Sequence, residues 1–405
     1  MNEPEIGITP MTHSSGRALP RAWFAVTALG VGSFSIVTAE LAPIGLLSPI
    51  ASELGVTTAT AGLAVTLYAW IAVFAALASA VWLGAAPRRL MLVGLMLILG
   101  GSGICAGIAD SFSWLMASRV LGALAHGAFW AMIGTLGAQL VPARQVGVAT
   151  SIIFGGVSVA SVLGVPLANF IGLESGWRAA FLAIGVLSIM VALALRLTIP
   201  NVAGSGRVGF SALGEILAIP SFQRIFVATL FAITAHFMAF TYIEPFLSDE
   251  IGMASGWIAP LLLLFGLAGV AANVVTGAFI DTRLKTVVIM ALLSACISLA
   301  ALALLGDSAG LVGVLVALAL WGGAVAAVLV GFQTWVLKLA GADALQASAI
   351  YVALFNGAIG LGAAIGSILL PYTGLTGLFL IAAVLVALAL LATSPLREPD
   401  TVPAE

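Results

Sequence analysis

Charge is scarce in this chain. Only 7% of its 405 residues are Asp, Glu, Lys or Arg, against about a quarter in an ordinary soluble domain. A water-soluble globule of this size needs far more charge to cover its surface, so a soluble enzyme or a nucleic-acid binder is excluded. Cysteine is almost absent: Cys105 and Cys296 both lie inside apolar runs, and no disulfide framework can be read from them. Histidine is too sparse for a metal site. His13, His126 and His236 share no ligand spacing, so no metal is expected. The polar start, Met1 to Pro20, has no apolar core followed by a small-residue cleavage site, and it does not read as a signal peptide.

Apolar residues and glycine are abundant. Sixty-two per cent of the chain is apolar and 46 residues are Gly. At about 20 apolar residues per crossing, the composition fits about twelve membrane helices, and small residues let such helices approach closely. Apolar runs bounded by charge, Pro or Gly fall at 22–47, 60–84, 89–108, 113–138, 147–171, 177–199, 223–248, 256–280, 284–305, 310–337, 346–370 and 374–393. They lack the alternation of barrel strands and so predict helices. An even number of crossings puts both termini on one side. That side collects the cations outside the spans except Arg178, which predicts cytoplasmic termini.

The order of the chain suggests duplication. Asp110-Ser111 returns as Asp307-Ser308, Glu53-Leu54-Gly55 as Glu250-Ile251-Gly252, and Gly176 with Phe181-Leu182 as Gly374 with Phe379-Leu380. The shared offset predicts two parallel six-helix repeats. They would comprise a tail over 1–21, a bundle over 22–199, a linker with a short interfacial helix over 200–222, a second bundle over 223–393 and a tail over 394–405. The fold class is therefore all-α integral membrane, twelve helices in two pseudo-symmetric bundles. Repeats of this kind place substrate sites near the bilayer midplane.

A charge at the bilayer centre costs about 2.5–3.5 kcal/mol on insertion scales, so each ionisable group within a span calls for a reason. Glu40 sits in Thr38-Ala39-Glu40-Leu41-Ala42-Pro43. A carboxyl withdrawn from water can load and release protons near neutral pH; the alternative is a wetted structural carboxylate. Arg119, Gly122, His126 and Trp130 share one helical face. Arg119 would hold a carboxylate such as Glu40 ionised, or bond backbone carbonyls. His126 would titrate, or sit neutral between helices. His236, Phe240 and Glu244 follow one another at i, i+4, i+8 ahead of Pro245. With Tyr68, Trp70, Trp130, Tyr242 and Asn356 they offer rings, amide and acid suited to a sugar, and equally to other small amphiphiles. Gly164 and Pro166 mark a bent, closely packed helix on which two halves could rock.

These residues resemble the major facilitator superfamily, in its twelve-span drug:proton antiporter branch. Thr38–Leu47, Thr66-Leu67-Tyr68-Ala69-Trp70, Ala125-His126-Gly127-Ala128-Phe129-Trp130, Gly176-Trp177-Arg178 and Tyr242-Ile243-Glu244-Pro245-Phe246 are similar to bacterial sugar efflux transporters of the SotB type. The resemblance implies proton-coupled export by alternating access, with Arg119 at the fourth-span motif. A loop motif survives in the second half as Gly277, Asp281, Arg283 and Lys285, and is degenerate in the first as Ala86-Pro87-Arg88-Arg89. The antiporter motif at Gly164-Val165-Pro166 is partial.

The expectation is therefore a multi-pass protein of the bacterial inner membrane, a monomer among lipids. It would exchange protons for a small sugar-like solute, with no cofactor beyond the proton gradient and no nucleic-acid partner. Glu40, Arg119 and His126 would form the coupling set. Tyr68, Trp70, Trp130, His236, Tyr242, Glu244 and Asn356 would form the substrate set. A multidrug antiporter of the same fold is the nearest rival and a passive channel a remote one. An integral-membrane enzyme would need a nucleophile–base or metal cluster, and the sequence displays none.

Overall fold

The computed structural model describes residues 20–82, 86–133, 140–142, 145–200, 216–280, 282–340 and 344–398. All regular structure in them is helical. The elements are α1 (Pro20–Leu41), a 3₁₀ turn (Ala42–Leu46), α2 (Leu47–Leu54), α3 (Thr58–Trp82), α4 (Arg88–Gly107), α5 (Phe112–Ile133), α6 (Val146–Ser175) and α7 (Trp177–Thr198). There follow α8 (Pro220–Phe240), single turns over Ile243–Pro245 and Phe246–Glu250, α9 (Ser255–Phe279), α10 (Leu284–Leu305), α11 (Gly310–Ala340) and α12 (Ala344–Thr393). Most of the expected tails, most of the expected linker and Asp281 lie outside the described residues.

Ten of the described helical stretches are long and apolar enough to cross a membrane. One of them, Ile350–Thr393, spans 44 residues and is broken at Gly374, whose φ of 66° and ψ of −179° are not helical. It supplies two of the twelve expected crossings. The remaining expected crossing is α5, which carries Arg119 and His126 within its apolar run. Large apolar side chains such as Phe24, Phe74, Val274 and Val312 are more than two-thirds exposed. Such a surface is suited to lipid and not to water.

The repeat seen in the sequence recurs in the backbone. Gly55 and Gly252, matched by offset, have φ of 65° and 71°, and Gly176 and Gly374 have 84° and 66°. A side chain would be strained at each of these helix ends, which explains why glycine stands at both members of each pair.

The chain forms two compact units. One is drawn from Met1–Glu40, Ile71–Gly164 and Arg178–Val208, the other from Leu41–Trp70, Val165–Trp177 and Gly209–Glu405. In the first, α4 packs on α5, and glycines bring other helices to backbone contact. A Cβ at Gly127 would overlap the Ala72 carbonyl, and one at Gly156 the Gly30 carbonyl. In the second unit α8 packs chiefly on α12, α9 on α11, and α10 on both α11 and α12. From Ala232 to Phe240 every residue of α8 is buried, as expected of a helix surrounded by others.

Candidate functional site

The first unit brings Glu40, Arg119, His126 and Trp130 together. α1 stops being α-helical at Leu41 because Pro43 has no N–H to return to the Ala39 carbonyl. Arg119 meets that vacancy from α5. Its Nη1 donates to the Ala39 carbonyl at 2.5 Å and its Nη2 to the Glu40 carbonyl at 3.1 Å. These two bonds account for two of the donors of Arg119. The helix break turns carbonyls toward the guanidinium, and they accept two of its forked donors.

The Glu40 carboxyl faces His126 instead. Its Oε2 lies 3.8 Å from His126 Nε2, and its Oε1 has no hydrogen-bond partner among the described residues. Glu40, Arg119 and His126 are each 95% or more buried. His126 Nε2 accepts a hydrogen bond of 3.0 Å from the Trp130 indole N–H, one turn along the same helix, so this nitrogen carries no proton in the structure. The Trp130 ring is held by Phe154, stacked at 5.8 Å, and by the edge of Phe129. Taken as a pair, carboxyl and imidazole are neutral in two ways, as acid with neutral imidazole or as carboxylate with imidazolium, and the buried Arg119 guanidinium adds one positive charge to either.

The second unit gathers most of the expected substrate residues. Trp70 is 41% exposed, and its indole N–H donates to the Gly357 carbonyl at 3.3 Å. A Cβ at Gly360 would overlap this indole, so α12 presents a glycine notch to the ring. Asn356, half-buried beside Gly357, donates its amide to the Val352 carbonyl at 2.8 Å. Tyr242 is buried, its hydroxyl donating to the Ala363 carbonyl at 3.2 Å. Its ring fills notches at Gly62 of α3 and Gly366 of α12. Glu244 is 4% exposed, and its Oε2 accepts the backbone N–H of Ser48 in the first turn of α2 at 2.9 Å.

Three further bonds bind the same end of this unit: Ser367 to the Ala59 carbonyl, Asn169 to the Gly45 carbonyl and Trp177 to Glu53. Tyr68 is fully buried. His236 stands elsewhere, inside an aromatic cluster, stacked on Phe240 and Phe265 and edge-on to Trp321.

The motif residues are dispersed. Gly164 packs against Thr38, and Pro166 lies inside α6. Gly277 faces open space. Arg283 precedes α10, and Lys285 donates its Nζ to the Ser394 carbonyl at 2.7 Å. Among the described residues there is no group of three or more His, Cys, Asp or Glu that could hold a metal ion.

The residues missed in the sequence are partners without chemistry of their own: the Ser48 N–H and the glycines at 62 and 366. Only their small size marked them.

Solved structures share this fold. A bacterial homologue of the human lysosomal transporter Spinster, inward-facing and unoccupied, matches with a TM-score of 0.79 at 17% identity, over 93% of this chain and 97% of that one. The nucleoside transporter NupG matches at 0.74 and 15%, over 92% and 99%. The human organic anion transporter MFSD10 matches at 0.64 and 15%, over 93% and 100%. At such identities the likeness concerns fold. The profile of the Major Facilitator Superfamily matches residues 27–346. With ten helical stretches among the described residues long and apolar enough to cross a membrane, a duplicated backbone and this family match, the protein is a multi-pass membrane transporter rather than an enzyme, and the chain belongs to the Major Facilitator Superfamily.

Proposed function

We propose that this transporter exports a small sugar or sugar-like solute by alternating access, in exchange for protons. On this reading it resides in the bacterial inner membrane as a monomer, with both termini in the cytoplasm. The observation that carries the proton half is the buried Glu40–His126 pair, 3.8 Å apart. Each of its balanced states differs from an unbalanced one by a single proton, so cargo or conformation that disturbs the pair moves H⁺. Arg119, committed to the Ala39 and Glu40 carbonyls, fixes the segment carrying Glu40 and adds a constant positive charge. One elementary charge crossing 100 mV yields about 2.3 kcal/mol, enough for roughly a 40-fold solute gradient per proton.

The sugar half is supported by the half-exposed Trp70 indole, which reaches the carbonyl of Gly357, and by Asn356, the preceding residue on α12. A flat ring covers the C–H face of a sugar, and an amide pairs with hydroxyls. The fold by itself does not choose a cargo, since its solved neighbours include nucleoside and organic anion transporters. The sugar reading rests on these side chains and on the SotB-type resemblance.

The test is uptake of labelled pentoses and thiogalactosides into inverted vesicles, with lipophilic cations alongside. Sugar uptake should rise with an imposed inward-acid gradient and collapse when it is dissipated. Glu40→Gln should abolish this pH-driven uptake and retain sugar counterflow. Gradient-driven uptake unchanged in Glu40→Gln would remove Glu40 from coupling. Uptake of the cations with no competition by sugars would favour the multidrug reading.

A further inference from the structure

Away from all these residues, where α8 begins and α12 ends, a pocket of about 490 Å³ opens between Ser221, Arg224, Trp335, Leu339 and the segment Pro395–Glu398. Its charge is unspent. Neither Arg224 nor Arg397 has a hydrogen-bond or ion-pair partner among the described residues. The acid in the wall, Glu398, is engaged elsewhere: its Oε1 accepts the backbone N–H of Lys285 at 3.1 Å.

The first turn of α8 also faces this region. Its N-cap, Ile219, supplies no side-chain hydrogen bond, Pro220 follows, and Ser221 lines the pocket. An uncapped helix start favours an anion. Trp335 provides an independent observation. It lines the pocket and is fully buried, and its indole N–H has no partner among the described residues. The surroundings are apolar and outward-facing: Leu217 is 47% exposed, Ile219 45% and Leu339 36%.

We propose that this pocket binds the phosphate group of an anionic amphiphile, with Arg224 and Arg397 on the phosphate oxygens and acyl chains along the leucine and isoleucine surface. Two guanidiniums suit a phosphodiester through their forked donors. A zwitterionic headgroup carries a cation that the same pair repels.

The full-length protein in detergent is titrated with short-chain phosphatidylglycerol, short-chain phosphatidylcholine or inorganic phosphate, and bound species are counted by native mass spectrometry. Phosphatidylglycerol should bind in preference to phosphatidylcholine. Arg224→Gln with Arg397→Gln should weaken it roughly thirtyfold, from about one tenfold step or less per lost cation. Trp335→Phe, which keeps the ring and removes the N–H, should weaken it less. Arg283→Gln, a cation beyond the pocket wall, should leave it unchanged. Thermal melts establish that each variant is folded; if the double variant is not, the single substitutions are compared.

Binding of inorganic phosphate that the arginine variants lose, without preference for the lipid, would support the site and assign it to free phosphate. Equal retention of both lipids with no phosphate bound overturns the proposal, as does undiminished phosphatidylglycerol binding in the folded arginine variants.

Discussion

The bond between Arg119 and the broken end of α1 can be tested as a thermodynamic cycle. Pro43 denies the Ala39 carbonyl its helical donor, and Arg119 reaches across from α5 to supply Ala39 and Glu40 together. Arg119→Leu keeps comparable bulk and removes every donor. Each carbonyl left unsatisfied out of water costs about 1–3 kcal/mol, so the variant should lose about 2–6 kcal/mol of unfolding free energy. Pro43→Ala restores a backbone N–H able to return to one of the two carbonyls. In the parent background it adds a donor where none is lacking and should change little. In the Arg119→Leu background it should recover about 1–3 kcal/mol. Unfolding by titration with SDS, followed by circular dichroism, gives the four free energies. Effects that add to within about 0.5 kcal/mol would refute the idea that Arg119 substitutes for the missing proline N–H.

Gly127→Ala should destabilise the protein by about 1–3 kcal/mol through overpacking against the Ala72 carbonyl. Gly94→Ala, where a Cβ meets nothing, should be neutral or stabilising by up to about 1 kcal/mol; thermal melts compare them. Trp70→Ala should weaken sugar binding in a calorimetric titration by about tenfold, the loss expected of about 1.4 kcal/mol of contact, and unchanged affinity removes Trp70 from the substrate surface. Glu244→Ala leaves the Ser48 N–H without its acceptor, a cost of about 1–3 kcal/mol. It should raise the labelling rate of a cysteine introduced at Ala59 at least fivefold, whereas an unaltered rate means that the bond does not hold this end closed.

The crossings were legible because lipid demands long apolar runs, and the break at Gly374 was legible because its match at Gly176 also precedes an apolar run. α5 was legible as the apolar run over 113–138, although Arg119 and His126, the residues that give it chemistry, lower its hydropathy. The stripe Arg119, Gly122, His126, Trp130 was correctly placed on one face. What spacing could not convey was direction along that face: that the Trp130 N–H turns back to His126, and that the guanidinium reaches the Ala39 and Glu40 carbonyls. Contacts between residues far apart in sequence, such as Ser48 with Glu244, left no periodic trace. His236, level with Glu40 by the repeat offset, illustrates the limit of that symmetry. Its neighbours on α8, α9 and α11 are rings, so it packs in an aromatic cluster and meets no acid among the described residues.

Tyr242 spans two glycine notches, one on α3 and one on α12. Parting those helices cannot proceed by gradual loosening, because a rigid ring either occupies a recess or has left it. Once it leaves, bare peptide backbone on both sides meets water in the same step. The consequence is a threshold: this end of the unit should switch abruptly between sealed and wetted, with the phenol as its bolt.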